Sequence, residues 1–222
     1  MKLKRHNLIL PILQDFFTEL GYEWDTSSAG CGFSNVIQSV PGQGSGRLPG
    51  DLKLDAVAHW LADKAQSLGV DVTVWHACAE HSRVERATKQ KSYITNQAET
   101  KKYAKYLLPC TERGIKHLPA AFNSYGGWGE VIMKEVVDPY YTKLRDAERE
   151  ATGQEWMSLL RREFLFQRVS VAIARGNTMI LNTMKQGWRS GRRAEEIRGV
   201  PPKAALDLSE CSHVARLVAE GG

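Results

Sequence analysis

Apolar and polar positions alternate most sharply at Val70–Trp75, where valines at 70, 72 and 74 are separated by Asp71 and Thr73. This period-two run of β-branched residues predicts a strand with buried valines and with Asp71 and Thr73 exposed on one face. Helical spacing governs much of the rest. Leu8, Ile12, Leu13, Phe16, Phe17 and Leu20 predict a helix over 8–20, capped by Gly21, with Pro11 in its first turn or at a kink. Val57, Trp60, Leu61, Ala65 and Leu68 recur at helical intervals, so Ala56–Leu68 is expected to be a helix closed by Gly69.

The second half of Arg83–Leu108 also reads as helix, ended by Pro109 and followed by a strand over Ile115–Phe122. A glycine turn at Tyr125–Gly129 then leads into a helix over Glu130–Val137. Shorter strands are expected at Phe33–Val40, inside a Gly- and Ser-rich stretch over 27–50, and at Asp51–Leu54. Beyond Pro139 the pattern is helical, over Tyr140–Ala151 and Glu155–Met184. The second of these carries a stripe of Trp156, Leu159, Leu160, Phe164, Val169, Ile173 and Ile180. Together these elements predict an α/β fold, a mixed central β-sheet flanked by helices over 1–138. A helical subdomain over 139–186 would pack on it, and 187–222 reads as a loosely held basic tail.

Composition narrows this only slightly. The 222 residues are 42% hydrophobic and 25% charged, ordinary values for a globular protein. No apolar run approaches a membrane span and residues 1–20 lack a secretory pattern, so the reading is intracellular, and nuclear in a eukaryotic host. The four cysteines (Cys31, Cys78, Cys110 and Cys211) are dispersed, which argues against a disulfide framework. Cys78 lies between His76 and His81 without a second cluster, so ordinary strand-end residues are the better reading than zinc ligands.

Charge changes the picture more. Ser82–Lys116 holds nine Lys or Arg and three Glu, a local +6 within a chain of net +5. Basic charge is therefore concentrated just after the Asp71 strand, as on a surface that meets phosphates. Within that stretch Glu99, Lys102 and Tyr106 fall at i, i+3 and i+7 and share a helix face. A carboxylate on a central strand, facing a lysine from the following helix, is a way to hold a cation beside a scissile phosphate. A further acid, Asp51, follows Arg47-Leu-Pro-Gly.

Each residue has a plainer alternative. Asp51 can begin a turn after Pro-Gly, Asp71 can be a solvated edge acid, and Lys102 can be a surface lysine. Glu99 reads either as a carboxylate supporting the site or as a simple partner of Lys102.

Arg47-Leu-Pro-Gly-Asp51, Asp71-Val-Thr-Val74 and Lys102-Tyr-Ala-Lys-Tyr106, in this order, resemble the restriction-like endonuclease domain of early-branching, site-specific non-LTR retrotransposons. Arg5-His6-Asn7, Ser124–Gly129, Gln167–Ser170 and Arg175-Gly-Asn177 resemble further segments of such element-encoded proteins, so the likeness spans roughly 5–180. It implies the PD-(D/E)xK fold and a Mg²⁺- or Mn²⁺-dependent endonuclease that nicks DNA to prime target-site reverse transcription. Asp51 and Asp71 would bind the metal, Lys102 would be the catalytic lysine, and Lys105 and Tyr106 would complete the motif. Arg47, Arg83, Arg86, Lys101 and Lys105 would contact nucleic acid.

The chain departs from the family pattern in two ways. Its acid follows Pro-Gly rather than Pro, and its strand reads Asp-Val-Thr where Glu-x-Lys is commoner, so Lys102 must act from the helix. DNA is the implied partner, with RNA or a reverse-transcriptase domain of a larger parent protein beside it, and no membrane. The alternatives are a catalytically inactive nucleic-acid-binding module of the same fold, or a structural α/β domain with a basic helix.

Overall fold

A computed structural model describes residues 3–33, 52–61, 67–76, 86–87, 89–90 and 92–189. Helix α1 (Leu3–Glu19) buries Ile9, Leu13, Phe16 and Phe17, a stripe at i, i+4, i+7 and i+8. It begins earlier than the apolar pattern suggested, so Pro11 lies mid-helix on the exposed side rather than in the first turn. Gly21, at φ +87°, turns the chain out of α1 into β1 (Tyr22–Asp25). A short helix α2 (Ser28–Cys31) leads to β2 (Gly32–Phe33), which pairs antiparallel with β3 (Leu52–Lys53) as a small separate sheet.

The segment expected to be helical from Ala56 is instead a strand, β4 (Ala56–Trp60), followed by β5 (Ser67–Trp75). Ala56, Val57 and Ala58 are all fully buried, because both faces of β4 are covered. A strand buried on both faces loses its alternation, and the spacing of Val57 and Trp60 then mimics a helix.

The main sheet has the order β1-β4-β5-β6, with β6 at Lys116–Asn123. β1 pairs antiparallel with β4 from Tyr22↔Trp60 to Asp25↔Val57, and β4 antiparallel with β5 from Ala56↔Val70 to His59↔Ser67. β5 and β6 run parallel from Leu68↔Lys116 to Trp75↔Asn123. A parallel pair needs a crossover, and helix α3 (Tyr93–Glu112) lies on that connection. Pro109 does not stop α3. It sits buried in the last turn, and the helix ends at Gly114, at φ +66°, where Arg113, Gly114 and Ile115 donate back to Cys110 and Thr111.

Helix α4 (Glu130–Ile132), a π-helical turn (Met133–Val137), α5 (Asp138–Thr152) and α6 (Trp156–Arg189) follow. Ile132, Val137, Tyr141, Leu165, Val169 and Ile173 join α1 and the sheet residues Ala58, Val70, Val72, Leu118, Ala120 and Phe122 in one core. A second cluster of Cys31, Leu54, Val57, Tyr106 and Cys110 lies where α3 meets the sheet. Of the stripe expected along α6 only Val169 and Ile173 are buried, with Leu165 and Ala172 joining them, while Trp156, Leu159, Leu160 and Phe164 are exposed. Met1–Ile180 forms one compact unit and Leu181–Gly222 a second. Among the described residues no helix is long and apolar enough to cross a membrane.

Candidate functional site

Asp71 sits in the middle of β5, between two valines that anchor the core. Its neighbours force its position, but its face is not open to solvent as the alternation suggested. α3 covers it and leaves it only 2% exposed. Lys102 reaches down from α3 and places Nζ 2.5 Å from Asp71 Oδ2. The ammonium pairs with that buried oxygen. Burial pushes the Asp71 carboxyl above the usual range, outweighing Lys102, which lowers the carboxyl's pKa by charge and by hydrogen bonding.

The acid found beside Asp71 is Asp55, which sequence reasoning missed. It directly precedes β4, and the Ala56↔Val70 register sets it next to Asp71. Its N–H donates to the Val70 carbonyl (3.1 Å), while its Oδ2 accepts the Val72 N–H (2.6 Å). The same oxygen pairs with His6 Nε2 from α1 at 2.8 Å, and this hydrogen bond to Asp55 raises the His6 pKa. The Asp55 charge helps to raise the Asp71 carboxyl, and both acids act on His6, Lys105 and Tyr106. Asp51, Arg47 and Arg83, expected as metal ligand and phosphate contacts, lie outside the described residues.

Tyr106 is fully buried and works as a strut. Its hydroxyl donates to the Lys53 carbonyl (2.9 Å) and accepts from Lys105 Nζ (3.0 Å). The ammonium groups of Lys105 and Lys102 lie 4.6 and 5.7 Å from its ring centre. Burial and the two nearby acids push the Tyr106 phenol up, so it stays protonated. Lys101, one residue from the site lysine, sits 4.7 Å over the ring of Trp75. Arg86 is exposed and its Nη1 donates to the Tyr93 hydroxyl (3.3 Å).

Glu99 supports neither the Asp71 site nor Lys102. Its Oε1 accepts the Val131 N–H (3.0 Å) in the first turn of α4. Nearby, His117 on β6 is buried between Tyr103 and Tyr106 (5.4 Å to each ring), with neither ring nitrogen hydrogen-bonded. Burial and the Lys102 charge pull its pKa down to about 4.

The structure thus brings Asp71, Lys102, Lys105 and Tyr106 together, and adds Asp55 and His6. The one signal for Asp55 was its place before an apolar run, and reading that run as helix hid it. Among the described residues no group of three or more His, Cys, Asp or Glu side chains is arranged to hold a metal ion. Neither a family model, a curated protein nor a solved structure matches the chain.

Proposed function

We propose that the chain is a metal-dependent DNA endonuclease domain of the restriction-like kind, nicking a strand to prime reverse transcription by a larger retrotransposon-type protein. One observation carries this reading. A buried carboxylate on the central strand of a mixed sheet meets a lysine from the crossover helix, with a second carboxylate just before the neighbouring strand.

The donor set fits Mg²⁺ or Mn²⁺. Such hard cations need one or two carboxylates and keep most of their waters, so a pair of acids is sufficient. Asp71, buried on the central strand, and Asp55 beside it would hold the ion. Asp51, four residues upstream, is the competing second acid. When bound, the ion supplies Lewis-acid polarisation of the phosphate and a more acidic water.

The chain's own groups do the rest. Lys102 offsets negative charge on the phosphate while the P–O bond to water forms and the bond to the leaving sugar oxygen breaks. Lys105, held by Tyr106, adds a second positive charge. His6 fixes the orientation of Asp55.

A second reading, an inactive nucleic-acid-binding module, is favoured by one feature: the Lys102 ion pair already neutralises Asp71. A supercoiled-plasmid nicking assay with Mg²⁺ or Mn²⁺ separates the two. The nuclease reading expects nicking by wild type, none by Asp71→Ala, and slowing by orders of magnitude in Lys102→Ala with DNA affinity nearly kept. Asp55→Ala compared with Asp51→Ala identifies the second acid. Salt-sensitive DNA binding without nicking supports the inactive module, and equal nicking by Asp71→Ala overturns the site.

A further inference from the structure

We propose that the outward face of α6 is the seam of a parallel two-helix coiled coil between two copies of this chain. The proposal uses no part of the nuclease reading and stands or falls apart from it.

Positions along α6 divide between two opposite sides of the helix. Leu165, Val169, Ala172, Ile173 and Gly176 are buried against the rest of the chain. The contact is close, since a Cβ at Gly176 would stand 2.4 Å from Arg5 Cγ of α1. On the other side Met157, Leu160, Phe164, Gln167, Val171 and Ala174 are all exposed, at alternating intervals of three and four residues. These are the a and d positions of three heptads over 157–177. A helix needs one apolar stripe to pack on its own core. A second stripe on the far side, at the 3.5-residue spacing that keeps a seam facing another helix, serves a helical partner.

A second copy is the occupant these residues fit. A two-fold axis sets the same face against itself, so the surface must be self-complementary. Val171 at a and Leu160 at d are the types that two-stranded parallel coils favour, and Gln167, the one polar residue of the six, would fix the register. Charge at the edges agrees. Arg161, Arg168 and Arg175 lie along the e edge and Glu163 lies at g. In a parallel pair Glu163 of each copy faces Arg168 of the other, whereas an antiparallel pair sets the arginine row against itself. Arg161 and Arg168 also pair with Glu19 and Asp15 of α1, which holds that edge in place. The area is sufficient too. Trp156, Met157, Leu160, Phe164 and Val171 are between 45 and 62% exposed. At about 100 Å² each they offer about 500 Å² per copy. A standard interface buries about 800 Å² per partner, a little over half of it apolar, so the seam supplies that apolar share.

Sedimentation velocity of the full chain over a range of concentrations, without DNA or metal, tests this. Wild type should pass from monomer to dimer as concentration rises. Leu160→Glu and Phe164→Glu should each raise the dimer Kd at least about tenfold, with far-UV circular dichroism unchanged because both side chains are exposed. Gln167→Leu should tighten the dimer, a gain that a damaged fold does not produce. Ala174→Cys should give a disulfide-linked dimer under mild oxidation that wild type does not, because equivalent d positions meet only in the parallel arrangement. A wild type that stays monomeric at every concentration, or a dimer that both glutamate variants leave intact, overturns the seam. A dimer without the Ala174→Cys crosslink overturns the parallel arrangement.

Discussion

Two buried ionisable residues under α3, Asp71 and His117, are pushed by burial toward their uncharged forms, and the Lys102 charge acts on both. For His117 the consequence for stability has a definite sign. Its pKa is about 4 in the folded protein, against an ordinary histidine value of 6.5. Between those values the unfolded chain binds the extra proton, so stability rises with pH through the window and is lost as pH falls through it. The full effect is about 3 kcal/mol. His117→Leu should remove this slope, so that the urea midpoint of the variant gains on that of wild type as pH is lowered from 7 to 4. The raised carboxyl of Asp71 acts in the opposite direction but is present in both proteins, so the comparison isolates His117. Parallel pH profiles would show that the imidazole titrates normally.

At the scale of elements, α3 does two jobs. It brings lysines to Asp71, and through Glu99 it caps the helix that begins the C-terminal part of the chain. The Glu99 carboxylate lies where a side chain at Gly129 would go: a Cβ there would come within 2.2 Å of Oε1. Glycine at 129 is therefore required by close approach. Glu99→Ala should cost about 1–2 kcal/mol, the size of a lost helix cap with a buried N–H left unpaired. Glu99→Gln, which keeps an acceptor, should recover most of it. Chemical denaturation of both variants is the measurement, and a Glu99→Ala midpoint equal to wild type would mean that water replaces the cap without loss.

For the whole molecule, the modest net charge of +5 matters less than its concentration on and around α3. Displacing counterions from DNA makes affinity fall linearly on logarithmic axes as salt rises, by about 0.7–0.9 per neutralised phosphate. Replacing Lys101, Lys102 and Lys105 together by Ala should reduce that slope by about 2–3. Affinity that is flat between low and physiological salt would count against nucleic acid as the partner.

The local placement of Asp71, Lys102 and Tyr106 was legible in the sequence. Alternating β-branched residues place Asp71 on a strand, and helical spacing puts Lys102 and Tyr106 on one face of the following helix, because each depends only on neighbours a few residues apart. Asp51, Arg47 and Arg83 fall outside the described residues and add nothing to either side. The identity of β4 was not legible, since burial on both faces erased the period that distinguishes strand from helix. The meeting of Asp55 with Asp71 depends on that strand's register, and the His6 contact depends on where α1 packs. Whether Asp71 faces water or a helix, and whether Glu99 serves Lys102 or Val131, is likewise decided by what lies across the interface. Periodicity says which face a side chain occupies, and only tertiary packing determines what covers that face.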